Sequence, residues 1–118
     1  MLPVCISDDE RAAMALLRRR LVHYAFLPSY RAYWKEAGYV DEMSDVEKAI
    51  AENRLGDVPN YLTDRWLADN TLHGPAPIVR EGVEKWRAAG VNAPILVPNS
   101  VTGNQITALQ ELFAAFAR

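Results

Sequence analysis

Between His73 and Pro98 the apolar positions change from helical to extended spacing within a few residues. Ile78, Val79, Gly82, Val83, Trp86 and Ala89 recur at intervals that put them on one face of a helix, while Arg80, Glu81, Glu84, Lys85 and Arg87 lie elsewhere on it. Pro75 and Pro77 suit a first turn, where a missing N–H costs nothing, and Gly90 suits the left-handed residue that ends a helix. The run Ala93-Pro-Ile-Leu-Val-Pro98 is too short for a helix, is bracketed by prolines and lacks polar alternation. It predicts a strand over about 93–98, buried on both faces, behind a helix over about 75–89. Together they are half of a βαβ unit.

Leu2 to Ile6 is a second apolar run and predicts another strand, about 2–6. Ser7 and Glu10 behind it have the spacing of a capping box. The helix they open covers about 8–27, with Ala13, Leu17, Leu21, Tyr24 and Leu27 on one stripe, and Pro28 breaks it. Ser29 caps a second helix, about 29–37, whose stripe is Tyr30, Tyr33, Trp34 and Ala37 and whose stop is Gly38. Ser44 and Glu47 form another capping box, opening a third helix over about 45–54, with Val46 and Ile50 inward and Gly56 as its stop. A fourth helix, about 60–70, carries Leu62, Trp66 and Leu67. Beyond Pro98 the turn-rich Asn99-Ser-Val-Thr-Gly103 leads to a last helix, about 104–117, with Ile106, Leu109, Leu112, Phe113 and Phe116 facing in.

Two buried strands separated by helices predict a parallel α/β, helix-rich architecture in a single domain, residues 1–118. Two strands do not make a sheet that covers itself. The expectation is therefore the C-terminal part of a larger α/β protein, or a subunit that completes its sheet by self-association, as a homo-oligomer.

Composition narrows the function classes more than it names one. Of 118 residues half are hydrophobic and 24% charged, the profile of an ordinary globular chain. Thirteen Lys and Arg against fifteen acids give a net charge of −2, which argues against nucleic acid as a partner. No apolar stretch is long enough to span a membrane and no signal peptide is visible, so the cytoplasm is the expected compartment. The single cysteine, Cys5, cannot form an internal disulfide, and inside an apolar strand it reads as a buried, inert thiol. His23 and His73 have no partner at metal-ligand spacing, so no metal site is expected. Arg18-Arg19-Arg20 reads as a solvated helix face, and the acidic pairs Asp8/Asp9 and Asp41/Glu42 as helix starts.

Three stretches resemble the C-terminal region of the luciferase-like monooxygenase superfamily, flavin- or deazaflavin-dependent (coenzyme F-420) oxidoreductases with a (β/α)8 TIM barrel. Pro3-Val-Cys-Ile-Ser-Asp-Asp-Glu-Arg-Ala-Ala13 running into Arg20-Leu-Val-His-Tyr24 is similar to the family's seventh strand and the helix behind it. Leu27-Pro-Ser-Tyr-Arg-Ala-Tyr-Trp34 with Ala37-Gly38 resembles its insertion before the last strand. His73-Gly-Pro-Ala-Pro-Ile-Val79, Trp86-Arg-Ala-Ala-Gly-Val91 and Pro94-Ile-Leu-Val97 are similar to its closing helix and last strand. The resemblance covers nearly all of this chain but about the last third of a full member. It implies the end of a barrel, FMN or coenzyme F-420 as cofactor, and a small-molecule substrate if active. The first six strands, which supply most of the flavin pocket, are absent, so the chain alone is expected to be inactive and no catalytic residue is assigned.

In barrels of this type the functional face lies at the carboxyl ends of the strands. That geometry selects Asn99 and Ser100, whose amide and hydroxyl could contact a cofactor, with a strand-to-helix turn as the alternative role. Ser7 occupies the equivalent place after the first strand, where helix capping is the stronger reading. Tyr30 and Arg31 fall in the insertion that lines the family's substrate entrance. An arginine there could pair a carboxylate or phosphate, although the stripe Tyr30, Tyr33 and Trp34 also suits plain packing. A non-catalytic helical self-association or protein-interaction module remains the alternative function.

Overall fold

The computed structural model describes residues 2–90 and 95–117. Its elements in chain order are strand β1 (Leu2–Ile6), helices α1 (Glu10–Ala25), α2 (Pro28–Glu36) and α3 (Val40–Ala51), a 3-10 turn (Leu55–Asp57), short helices α4 (Val58–Tyr61) and α5 (Asp64–Asn70), strand β2 (Leu72–Gly74), helix α6 (Ala76–Ala88), strand β3 (Leu96–Asn99) and helix α7 (Gln105–Phe116). The fold is α/β and helix-rich, with a small parallel sheet of three strands among the described residues. It divides into two compact units: Met1–Leu17 with Ala68–Arg118, and Arg18–Leu67.

The first unit contains the sheet, in the order β2-β1-β3. β1 pairs in parallel with β2 (Val4 opposite Leu72, Ile6 opposite Gly74) and with β3 (Leu2 opposite Leu96, Cys5 opposite Asn99). Leu2, Val4 and Cys5 are buried, as a strand with partners on both sides should be. Strands consecutive around a closed barrel are neighbours in sequence order, which would set β3 beside β2; here β3 lies beside β1.

The backbone register also fixes which way β3 points. Leu2 N–H donates to Ile95 C=O at 2.8 Å, so the alternation of a parallel ladder turns the backbone groups of Val97 and Asn99 toward β1 and those of Leu96 and Pro98 toward the open edge. Pro98 has no N–H to offer there, and its outward carbonyl accepts from Gln105 Nε2 at 3.2 Å.

Helix α6 packs on β2 and β1, and α7 on β3 and β1. α6 buries Val79 and Val83. It approaches β2 so closely that a Cβ on Gly82 would lie 2.5 Å from Leu72 Cδ2. Arg80 Nη1 donates to Ala115 C=O at 2.7 Å, tying α6 to the last turn of α7.

The second unit is helical around aromatic side chains. Trp34 and Trp66 are buried and meet edge to face, 4.9 Å between centroids at 81°. Tyr30 joins them to Tyr24, 5.5 Å from Trp34 and 4.9 Å from the Tyr24 ring. Met43, Val46, Val58 and Leu62 complete this core.

Several boundaries differ from the sequence expectations, each for a local reason. Asp9, not Ser7, caps α1: Asp9 Oδ1 accepts from Ala12 N–H at 3.1 Å, while Ser7 Oγ accepts from Asp9 N–H at 3.0 Å in a preceding turn. Pro28 begins α2 instead of only ending α1, and neither Leu27 nor Ser29 caps it with a side chain. α3 starts at Val40 rather than 45, because Gly38 (φ 106°) closes α2 and Asp41 and Glu42 then sit in the favourable first turn. Ser44 is consequently inside the helix. Asn53 (φ 56°) ends α3 before Gly56 does, with Arg54 N–H donating to Ala49 C=O at 2.7 Å. The helix expected over 60–70 is broken at Leu62, and Thr63 Oγ1 caps its second half by accepting from Trp66 N–H at 3.2 Å.

Strand β2 was not anticipated. Of the strand expected over 93–98, residues 93 and 94 lie outside the described residues, and the remainder is only half-buried, with Ile95 67% exposed. α7 turns most of its expected face outward. Ala108 and Ala115 are buried and Leu112, expected inward, is half-buried, whereas Ile106, Leu109, Phe113 and Phe116 are exposed. The small residues let the helix lie close to the sheet, and these four large ones stand away from it.

Candidate functional site

The carboxyl ends of the parallel strands gather the polar groups of the first unit. Ser7 follows the last residue of β1, and its N–H donates to Gly74 C=O at 2.9 Å, tying the ends of β1 and β2 together. Gly74 (φ 121°) takes a backbone conformation that suits glycine and turns the chain into α6 at Pro75. β3 ends at Asn99, opposite Cys5.

Asn99 turns inward. Its Nδ2 donates to Val4 C=O at 3.3 Å and Val97 C=O at 3.2 Å, bracing β3 against β1. Ser100 Oγ donates to Glu111 at 2.5 Å and accepts from Thr102 N–H at 3.3 Å, which pins the loop to α7. Asn104 Oδ1 then caps α7 by accepting from Thr107 N–H at 3.1 Å. Beneath this loop lies Cys5, fully buried. Burial and the nearby Glu111 carboxylate push its thiol up to about 11, against a lowering by the Val101 backbone N–H. A thiol held protonated in this way is a packing group, not a nucleophile.

The other two sequence candidates lie in the helical unit. Tyr30 is 40% exposed and stacks between Tyr24 and Trp34. Arg31 Nη1 donates to Ala25 C=O at 2.9 Å, satisfying the last residue of α1, and its Nε reaches Glu47 at 3.5 Å. Lys35 also hydrogen-bonds Glu47, and this bond, followed by the Lys35 and Arg31 charges, holds the Glu47 carboxyl below its usual range. With an 11% exposed side chain, Arg31 acts in this arrangement as a brace between helices.

His73 lies on β2 with its Nδ1 3.2 Å from Thr71 Oγ1 and its Nε2 3.7 Å from Glu10, while His23 is exposed on α1. Among the described residues no three His, Cys, Asp or Glu side chains group as metal ligands.

A phosphate-bearing flavin or deazaflavin needs free N–H donors or cations at the strand ends. Asn99 and Ser100 direct their donors at protein acceptors, and the Glu111 carboxylate behind Ser100 opposes an anion. The donor set as arranged does not fit such a cofactor.

Sequence reasoning missed two polar clusters of the helical unit. Glu42, Thr63 and Arg65 converge from α3, the α4–α5 break and α5. Arg54 ties Glu52, Asp57 and Tyr61 together. Only Thr63, three residues before Trp66, carried a recognisable capping signal; the other contacts join segments whose proximity depends on the fold.

Compared with models of known families, with curated proteins and with solved structures, the chain matches none of them. Among the described residues no helix is long and apolar enough to cross a membrane. What the geometry defines is one unit with a small parallel sheet whose polar loop ends are internally satisfied, and a second, helical unit built on aromatic packing.

Proposed function

We infer that the chain is the C-terminal portion of a luciferase-like flavin- or deazaflavin-dependent oxidoreductase, contributing scaffold rather than chemistry and inactive by itself. The observation that carries the reading is the correspondence between the three resembling stretches and the elements they form. The first becomes β1 and α1, the second α2 within a helical segment inserted between strands, and the third β2, α6 and β3. Of the strands with counterparts in the resemblance, the seventh (β1) and the last (β3) are neighbours here as they would be in a barrel, and β2 takes the edge of β1 that would belong to the preceding strand. An unpaired central strand takes the partner within reach, because its N–H and C=O groups otherwise go unsatisfied. FMN or coenzyme F-420 would then be held mainly by the remaining strands, and a small-molecule substrate would enter past Tyr30 and Arg31.

The test is a fluorescence titration of the chain with FMN and with coenzyme F-420, at protein concentrations up to about 100 µM. Absence of binding by this chain, together with saturable binding once the strands of a luciferase-like barrel are supplied as a separate polypeptide, is the expected result. Failure of any such polypeptide to associate with it would overturn the reading.

One observation favours a second reading, a non-catalytic self-association module forming homo-oligomers. Ile106, Leu109, Phe113 and Phe116 of α7 are exposed, and large apolar surfaces are seldom left uncovered.

A further inference from the structure

We draw no further inference here: the strongest candidate, the exposed apolar face of α7 formed by Ile106, Leu109, Phe113 and Phe116, carries nothing because nothing in the structure shows what covers it.

Discussion

Arg65 and Glu42 join α5 to α3 through an ion pair with one buried and one exposed end, and that asymmetry predicts unequal costs for removing either partner. The Glu42 side chain is 8% exposed and the Arg65 side chain 58%. Arg65 Nη2 donates to both Glu42 oxygens, at 2.9 and 3.2 Å, and Thr63 Oγ1 donates at 3.2 Å. The guanidinium also lies 4.6 Å from the Tyr39 ring centroid. Arg65→Ala leaves the carboxylate in place with a single hydroxyl donor. Stranding one charge of a fully buried pair costs about 3–5 kcal/mol. Because water already reaches the Arg65 side of this pair, we expect about 2 kcal/mol here, including about 0.5 kcal/mol from the lost ring contact. Glu42→Ala leaves a guanidinium that water can solvate and a Thr63 hydroxyl at the surface, for a cost of about 1 kcal/mol. The double variant should resemble Glu42→Ala alone, since without the carboxylate there is no charge left to strand. Urea unfolding followed by the fluorescence of Trp34 and Trp66, both buried in this unit, measures all three. Glu42→Ala proving as costly as Arg65→Ala would refute the reasoning.

Further predictions follow from the caps and the titrating groups. Asp9→Ala should cost about 1 kcal/mol in chemical denaturation and Ser7→Ala clearly less, since Asp9 alone reaches into the first turn of α1. Cys5 should resist thiol reagents at neutral pH until the chain unfolds. Its native value near 11 exceeds the ordinary 9.0, so the stability it adds is complete below pH 9.0 and is lost as the pH rises through about 11; Cys5→Ala should remove that alkaline slope from the pH–stability curve. Glu47, lowered from its ordinary 4.5 chiefly by Lys35, contributes stability above that pH that is lost as acid protonates it in the native state. Lys35→Met should therefore flatten the acid limb of the same curve.

Local chemistry was legible in the sequence wherever one residue decides a conformation. Pro75 and Pro77 opened α6, Gly38 and Gly90 closed helices with a positive φ, and the apolar run after Met1 formed the central strand. Competition between adjacent signals was less legible. Ser7 and Asp9 both can cap, and so can Ser44, but the first turn of α3 had already formed at Val40. β2 escaped notice because three residues carry no measurable period, and its pairing with β1 is a property of the fold. The spacing of Ile106, Leu109, Phe113 and Phe116 showed that α7 has an apolar stripe and implied that it faced in. Which side meets the sheet is settled by how closely the helix can approach, and alanine wins that contact. For Asn99 and Ser100 the sequence located the strand end, but it held no information on whether their donors point outward; carbonyls of Val4 and Val97 and the carboxylate of Glu111 draw them inward.

The outward face of β3 has a bearing on aggregation. Sheets recruit foreign strands through unbroken rows of donors and acceptors, and cross-β fibrils grow by repeating that recruitment indefinitely. At Pro98 the row lacks its donor, and the Gln105 amide already occupies the acceptor beside it. An incoming strand would find no continuous template on that side. Among the described residues, then, β3 acts as a terminator of strand stacking on its side of the sheet.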